Sequence, residues 1–351
     1  MASNKIISAY YNYYGSPADL PQPEDLNVDL ITHLIVCFTS LDSTTGQCTA
    51  NQQFRQGLQN CAQLRLKNPT LKVMVSVGTG QAFSVVANSP ALIQAFVTSI
   101  VSLLEECSLD GLDLDWEFPV FQSQAYDREN FVALLQALRQ AFTLHTPQYL
   151  LAIAAAAQEL IAVKAYDIPA IAQLVDFVNL MCYDYNVWQA YTPFTGHNSP
   201  LFRRPCQISI FGRLNTEWSA NYWVSQGLPK AKLVVGIPMY PRGWKLLTAC
   251  LHGYGAPSTA TDWQLQSYTA VRGWLADGAV RVFDTYAKVP YAYKGTLWVS
   301  YEDEESIRGK TEWITINDFG GAMLYDLKSD DYAGVYGPKF PLVSIVHEVL
   351  Q

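Results

Sequence analysis

The sequence predicts an α/β fold, a (β/α)8 TIM barrel with a small α+β insertion after the seventh strand. Three observations predict it. Eight short, nearly continuous apolar runs recur along the chain, stretches of helical period lie between them, and one long segment breaks that rhythm. Apolar runs of this kind belong to parallel strands covered on both faces, and eight strand–helix units suggest closure into a ring. A doubly wound open sheet is the alternative. No Gly-rich phosphate turn follows any strand, which disfavours it.

The first strand is expected at 5–11 (KIISAYY), the second at 32–38 (THLIVCF) and the third at 71–77 (LKVMVSV). The fourth, at 111–117, alternates apolar and acidic residues. The fifth to eighth are expected at 149–155, 177–183, 233–239 and 321–325. Amphipathic stretches at 91–107, 127–143, 216–226 and 304–316 read as helices. Acids at 303–305 suit a helix start and read as a solvated cap. Between Arg242 and Tyr301 no long helix fits. The text there is short, aromatic and turn-rich (GYGAPSTATDW, then AVRVFDTYAKVPYAYKGTLWVSY), so it reads as an insertion with strands. The barrel is thus assigned to 1–243 and 302–351, and the insertion to 244–301. Loops at the carboxyl ends of barrel strands carry function, so this insertion is expected to build one wall of an active site.

Half of the 351 residues are hydrophobic, enough for a large core. Lys plus Arg number 23 against 31 Asp plus Glu, a net charge of −8. Without a basic excess, neither nucleic acid nor an anionic membrane surface is an expected partner. The 21 Tyr and 9 Trp invite a carbohydrate or another ring-stacking ligand, with core packing as the plainer use. No membrane span is expected, since the richest apolar stretch, 150–157, is far short of the about 20 residues a crossing helix needs. The start at Met1–Lys5 has no apolar signal core, so either the chain is made without a leader or one has been removed. Its seven Cys are an odd number with no CxxC pair, which argues against a disulfide framework and a zinc knuckle. No Asn-x-Ser/Thr acceptor occurs, because Asn68 is followed by Pro. The compartment stays open on these grounds. The five His (33, 145, 197, 252, 347) sit singly, without metal-ligand spacing, and read as structural or surface residues. A monomer without a cofactor or metal is expected.

The sharpest feature is Asp110-Gly111-Leu112-Asp113-Leu114-Asp115-Trp116-Glu117. A strand puts alternate residues on one face, so Asp113, Asp115 and Glu117 share a side, spaced about 6–7 Å apart. Leu112, Leu114 and Trp116 face the other way, toward outer helices, while the acids point inward and rise to the rim. Three acids in a partly desolvated pore cannot all ionise cheaply, so shared protons and a raised pKa are expected. A Glu kept protonated near neutrality is what a general acid requires. Competing uses are solvated edge charges, a Mg2+ or Ca2+ site with Asp184 or Asp326 as further ligands, and a structural polar network.

Asp110-x-x-Asp113-x-Asp115-x-Glu117 resembles the DxxDxDxE signature of the family 18 glycoside hydrolases, the chitinases and chitinase-like lectins. Other segments agree in order. Ser76-Val77-Gly78 resembles the start of the SxGG strand, Met181-Cys182-Tyr183-Asp184 the MxYD strand, and Gly236-Ile237-Pro238-Met239-Tyr240-Pro241-Arg242-Gly243-Trp244 the GxPxYGRxW segment. Val289–Tyr293 and Trp298–Asp303 are similar to the α+β insertion of longer, animal-type members, and Gly320-Gly321-Ala322-Met323 to the opening of the last barrel strand.

The resemblance implies Glu117 as the acid that protonates the leaving glycosidic oxygen. It implies Asp115 as the group that holds and polarises the substrate N-acetyl group, and Asp113 as the residue below that shares its proton. Asp110 is expected to be structural. Tyr183 resembles the hydroxyl that steadies the N-acetyl oxygen, with Asp184 beside it. Tyr240 and Arg242 are implied contacts around the cleaved bond, and Tyr10 and Phe38 walls of the central subsite. Trp188 and Trp244 are candidate stacking surfaces, and Tyr325 a ring floor; for Phe38 and Trp244 core packing is the competing role. The implied reaction is retaining hydrolysis of β-1,4 bonds between N-acetylglucosamine units of chitin or chitooligosaccharides, the substrate's own acetamide oxygen attacking the anomeric carbon.

Departures from the family pattern bear on affinity. Thr79 stands at the second Gly of SxGG and Gly80 at the following Trp, so one upstream platform is lost. Tyr325 replaces a Trp, Pro241 a Gly, and Ala9 a Cys. A glycan-binding lectin is therefore the alternative, and hydrolysis of an N-glycan chitobiose core or a metal-dependent hydrolase are more distant ones.

Overall fold

The computed structural model describes residues 5–13, 20–121 and 124–351. Met1–Asn4, on which the leader expectation rests, lie outside them. The expected apolar runs form eight parallel strands: β1 (Ile6–Asn12), β2 (His33–Leu41), β3 (Lys72–Thr79), β4 (Gly111–Trp116), β5 (Leu150–Ala156), β6 (Phe177–Met181), β7 (Leu233–Pro238) and β8 (Gly321–Tyr325). Each pairs with its sequence neighbours, and β1 closes the ring on β8 from Ile6↔Gly321 to Ala9↔Leu324. The open-sheet alternative is thereby excluded. At Gly321 a Cβ would sit 1.8 Å from the Ile6 carbonyl oxygen, so this pairing demands glycine.

Among the described residues the ten α-helices are α1 (Gln52–Gln63), α2 (Gln81–Ala87), α3 (Pro90–Cys107), α4 (Asp127–Phe142), α5 (Glu159–Ala165), α6 (Ile168–Leu174), α7 (Thr216–Ser225), α8 (Tyr268–Ala276), α9 (Glu304–Ile316) and α10 (Pro341–Leu350). All but α8 belong to the outer layer of the barrel units. Side chains of Asn51, Ser89, Asp167 and Asn215 cap helix starts by accepting from backbone N–H groups, which satisfies donors the helix itself cannot. Asp303 caps α9, but it is buried rather than solvated, because Arg281 Nε donates to it at 2.7 Å.

Alternation along each strand sorts the core. Ile7, Ala9 and Tyr11 of β1 join the layer beneath the helices, whereas Tyr10 points into the barrel with Ile35, Met74, Phe177, Val234 and Met323. On β4, Trp116 is 1% exposed between the rings of Phe83 and Phe131, each 5.4 Å away. Burying Leu112, Leu114 and Trp116 outside fixes the inward direction of the acids, since a one-residue slip would exchange the two sets.

Helix α3 has 18 residues and a mean hydropathy of 1.3, long and apolar enough to pass a membrane-span test that the reading of 150–157 passed over. It buries Phe96, Val97, Ile100, Leu103 and Leu104 against the protein. All seven cysteines are free, five buried and Cys206 and Cys250 exposed. Buried His197 meets Asp284 Oδ2 at 2.8 Å, a structural pairing.

After β7 the chain builds an antiparallel five-stranded sheet from Arg242–Leu246, Ser258–Asp262, Val280–Asp284, Val289–Lys294 and Leu297–Ser300, with α8 beside them. Its first strand starts two residues before the expected 244, at Arg242. A buried ion pair ties its return to the barrel: Lys310 Nζ on α9 donates to Glu302 Oε1 at 2.5 Å and to Ser199 Oγ at 2.8 Å. Both charged side chains are nearly inaccessible, at 1% and 2%. Removing one partner strands the other charge. Lys310→Met is therefore expected to cost about 3–5 kcal/mol of unfolding free energy in a denaturant titration, with part recovered in the Lys310→Met/Glu302→Gln double variant.

Candidate active site

The carboxyl ends of the strands open into a cavity of about 650 Å³. The site is built upward from its floor. Asp113, fully buried, lies at the base, where Oδ2 accepts from Tyr10 Oη and Ser76 Oγ, both at 2.8 Å, and Oδ1 from Asn179 Nδ2 at 3.3 Å. Asn179 is itself oriented by Ser8 Oγ, which donates to its Oδ1 at 2.8 Å. Burial pushes the Asp113 carboxyl up to about 6, and the three donors restrain the rise.

Asp115, one step higher, lines the cavity at 7% exposure. Its Oδ1 is buried with no hydrogen-bond partner. Burial, then the charge of Glu117, then that of Asp113 hold its carboxyl well above the usual range. Glu117 follows β4 by one residue and stands at the solvent-reachable mouth, though still crowded by protein. Burial and then the negative Asp184 push it up as well. All three carboxyls are thus raised, burial being the first cause for each, because ionising groups in a poorly solvated space is costly.

The opposite wall comes from the ends of β6 and β7. Asp184 has a φ of 55°, a left-handed conformation that Asp tolerates. Its backbone N–H donates to Asn198 Oδ1 at 2.9 Å. Its carboxylate accepts both arms of Arg242, Nε at 2.7 Å and Nη2 at 2.6 Å, and Tyr240 Oη at 3.0 Å. Such a two-bond fork fixes the guanidinium plane. Tyr325 sits among rings, 5.4 Å from Tyr10 and 6.1 Å from both Tyr183 and Tyr240. Tyr183 Oη donates only weakly, to Met323 Sδ at 3.9 Å, and keeps its proton because burial raises its pKa well above 10.

Of the residues singled out from the sequence, Tyr10, Phe38, Asp115, Glu117, Tyr183, Asp184, Tyr240, Arg242 and Tyr325 line this one cavity, with Asp113 directly beneath. Phe38 is a wall whose ring fills the space at Gly78, where a Cβ would lie 2.5 Å from it. Asp110 lies outside the cavity, bound by Arg65 and by the backbone N–H of Val73 at 2.8 Å. Two stacking expectations are corrected. Trp244 is 1% exposed, edge-on to Trp298 in the insertion core, and has no open face. Trp188 packs on the same cluster, its Nε1 reaching Ser258 O at 3.4 Å, and does not line the cavity.

Sequence reasoning missed Asn179, Met181 and Gln158. Asn179 and Met181 share the inward face of β6 with Phe177, a face that Tyr183 continues just past the strand, so the two-residue period held that signal. Gln158 lines the cavity and reaches the carbonyls of Tyr183 and Asp184 at 3.4 Å. Among the described residues no group of three potential metal ligands occurs.

The family model "Glycosyl hydrolases family 18" matches residues 6–330. The chain is 33% identical to chitotriosidase-1 of Mus musculus over 93% of this chain and 74% of that protein. It is 31% identical to an endochitinase of Manduca sexta, of which it spans 63%, a little under two thirds. The structure superposes on an immunomodulatory active chitinase from Trichuris suis with a TM-score of 0.92 and 31% identity, covering 99% of this chain and all of the other. It also superposes on human YKL-39, described as a pseudo-chitinase with retained chitooligosaccharide binding, with a TM-score of 0.90, 27% identity and 99% coverage of both chains.

The donors around Asp113 give a direct test. Ser76→Ala deletes one hydrogen bond that favours the charged form. The Asp113 carboxyl should then titrate above its position near 6 in carbon-detected NMR, and an unmoved titration would refute the role given to Ser76.

Proposed function

Because the chain belongs to glycosyl hydrolase family 18, we propose that it hydrolyses β-1,4 bonds between N-acetylglucosamine units of chitin or chitooligosaccharides, with retention and with the substrate's acetamide as nucleophile. One observation carries the reading: the buried, partnerless Oδ1 of Asp115 in the cavity wall. An orphaned buried acceptor costs free energy until a donor arrives. The N–H of a 2-acetamido group is such a donor, and an unsubstituted sugar hydroxyl at that carbon would not also supply a nucleophilic carbonyl.

Each step then has a residue. Glu117, its pKa raised by burial and by Asp184, donates its proton to the bridging oxygen as the bond to the anomeric carbon breaks. The acetamide oxygen closes on that carbon; being tethered, it has little translational entropy left to lose. Tyr183, whose hydroxyl has only a sulfur partner, donates to the acetamide oxygen and orients it. Positive charge grows on the oxazolinium ring, and Asp115 opposes it while Asp113 takes up the shared proton. Glu117, now a base, activates the water that reopens the ring. The tyrosine rings of Tyr10, Tyr183, Tyr240 and Tyr325 wall the subsite and limit water access.

A second reading, glycan binding without turnover, is favoured by bare Gly80, by the smaller ring at Tyr325 and by the likeness to YKL-39. The product pattern from a chitohexaose digest separates the two, and tight calorimetric binding with no products would support the second. A high-mannose glycopeptide, tried beside it, tests the N-glycan alternative, and activity that survives EDTA removes a metal-dependent one.

Two outcomes are expected of an active enzyme. Glu117→Gln should lower turnover by about 10²–10⁴-fold while chitooligosaccharide binding persists; undiminished turnover refutes the assignment. The acid works only while protonated, and its pKa is raised. The rate should therefore hold at mildly acidic pH and fall as pH rises through that value, measured as kcat/KM against pH. A fully deacetylated polymer, lacking the nucleophile, should not be cut.

A further inference from the structure

The insertion carries one tryptophan that the site has not absorbed. Trp263 is 56% exposed, whereas Trp244 and Trp298 of the same segment are buried. An isolated exposed ring is ordinary on a protein surface, but the surroundings of Trp263 are not. The strand Ser258–Asp262 pairs antiparallel with Arg242–Leu246, and Asp262 lies opposite Gly243. The next step along that register brings Trp263 beside Arg242, whose Cζ is 5.2 Å from the indole centroid and 5.0 Å from the ring of Tyr240. Arg242 is thus flanked by one ring that lines the cavity and one that stands outside it. The guanidinium is immobilised by the fork to Asp184, so the indole rests on a fixed surface. The turn is pinned too. Gln264 donates through its backbone N–H and Nε2 to the Asp262 carboxylate at 3.0 and 3.2 Å, and Gln266 Nε2 to the carbonyl of Trp263 at 3.2 Å. A ring held in place, one face on Arg242 and the rest open, is preorganised to receive a flat apolar surface.

The strand order adds the second half of the argument. In a closed ring of eight, β3 and β7 lie across from one another. Gly80 follows β3 and presents no side chain to the cavity, and Arg242 with Trp263 follow β7. A chain of sugars crossing the mouth past Glu117 finds no platform on the β3 side and an indole on the other. We propose that Trp263 is the stacking platform for an N-acetylglucosamine unit outside the cavity, immediately beyond the Asp184–Arg242 pair, and that it sets the preference for longer oligosaccharides.

This rests on the chitooligosaccharide reading above, and the test separates the two. Wild-type protein, Trp263→Ala and Trp263→Tyr are compared on chitotriose and chitohexaose, with KM and kcat resolved and binding followed by calorimetry. Matching thermal midpoints establish that the exposed substitution leaves the fold intact. Trp263→Ala should lower the hexaose-to-triose ratio of kcat/KM, or of affinity where no turnover occurs, by about tenfold. The change should lie in KM, and Trp263→Tyr should restore most of it. An unchanged ratio in Trp263→Ala, or an equal loss on both oligosaccharides, overturns the platform alone. A wild-type protein that neither binds nor cuts either sugar overturns the functional reading and the platform with it.

Discussion

Desolvation of carboxyls inside a closed barrel, with like charge added at Asp115 and Glu117, is the constraint from which the rest of the site follows. Asp113, Asp115 and Glu117 lie on one face of one strand, and the ring of strands removes the water that would screen them. The lowest acid is made tolerable by donors recruited from three other strands: Tyr10 from β1, Ser76 from β3 and Asn179 from β6. A barrel suits this task because every strand's inward residues converge on one axis. The middle acid receives no such help at Oδ1. Hydrogen-bond satisfaction is thus full at the floor and incomplete one step above it.

A second constraint joins the barrel to the insertion. Asp184 ends one strand, Arg242 opens the inserted sheet, and their two-bond fork makes the insertion part of the cavity wall. The same Asp184 raises the pKa of Glu117 by its charge. One carboxylate thereby serves two ends: it anchors the wall and, after burial, helps hold the Glu117 carboxyl above its ordinary range. The buried Lys310–Glu302 pair ties the far end of the insertion to the barrel.

Where a physical period governed the side chains, the sequence was legible. The two-residue alternation on β4 located the three acids, and the interleaving of apolar runs with helices located all eight strands. The nine cavity-lining residues were reached through motifs, and they do converge. What failed was the exposure of single tryptophans. Trp244 and Trp263 both stand in a short aromatic insertion, and nothing in residue type separates them. Trp244 falls on an inner sheet position against Trp298, whereas Trp263 lies one residue past a strand end. That difference depends on the register between the strands Arg242–Leu246 and Ser258–Asp262, which no local pattern encodes. Trp188, in the loop after β6, likewise packs on the insertion cluster through a long-range contact with Ser258 that no local pattern shows. Asn179 is the opposite case: its signal was present in the period of β6 and went unused.

The balance between catalysis and mere binding turns on the cost of the acid stack. A pocket that only bound a sugar would gain stability from replacing Asp115 with a neutral group of similar size, because a buried carboxyl without a donor is unfavourable in the empty state. It would have equally little use for a Glu117 whose pKa burial and Asp184 raise. Binding needs flat rings and fixed donors, which Tyr240, Arg242 and Tyr325 already provide. Proton transfer to a leaving oxygen, by contrast, needs an acid whose pKa stands near the working pH, and repulsion among crowded carboxyls is a direct way to obtain one. The loss of a platform at Gly80 bears on how long a chain is held; the carboxyl stack bears on whether it is cut. These are separable properties on separate strands, so under the proposed function a weakened grip on one side alters length preference without touching the carboxyl stack.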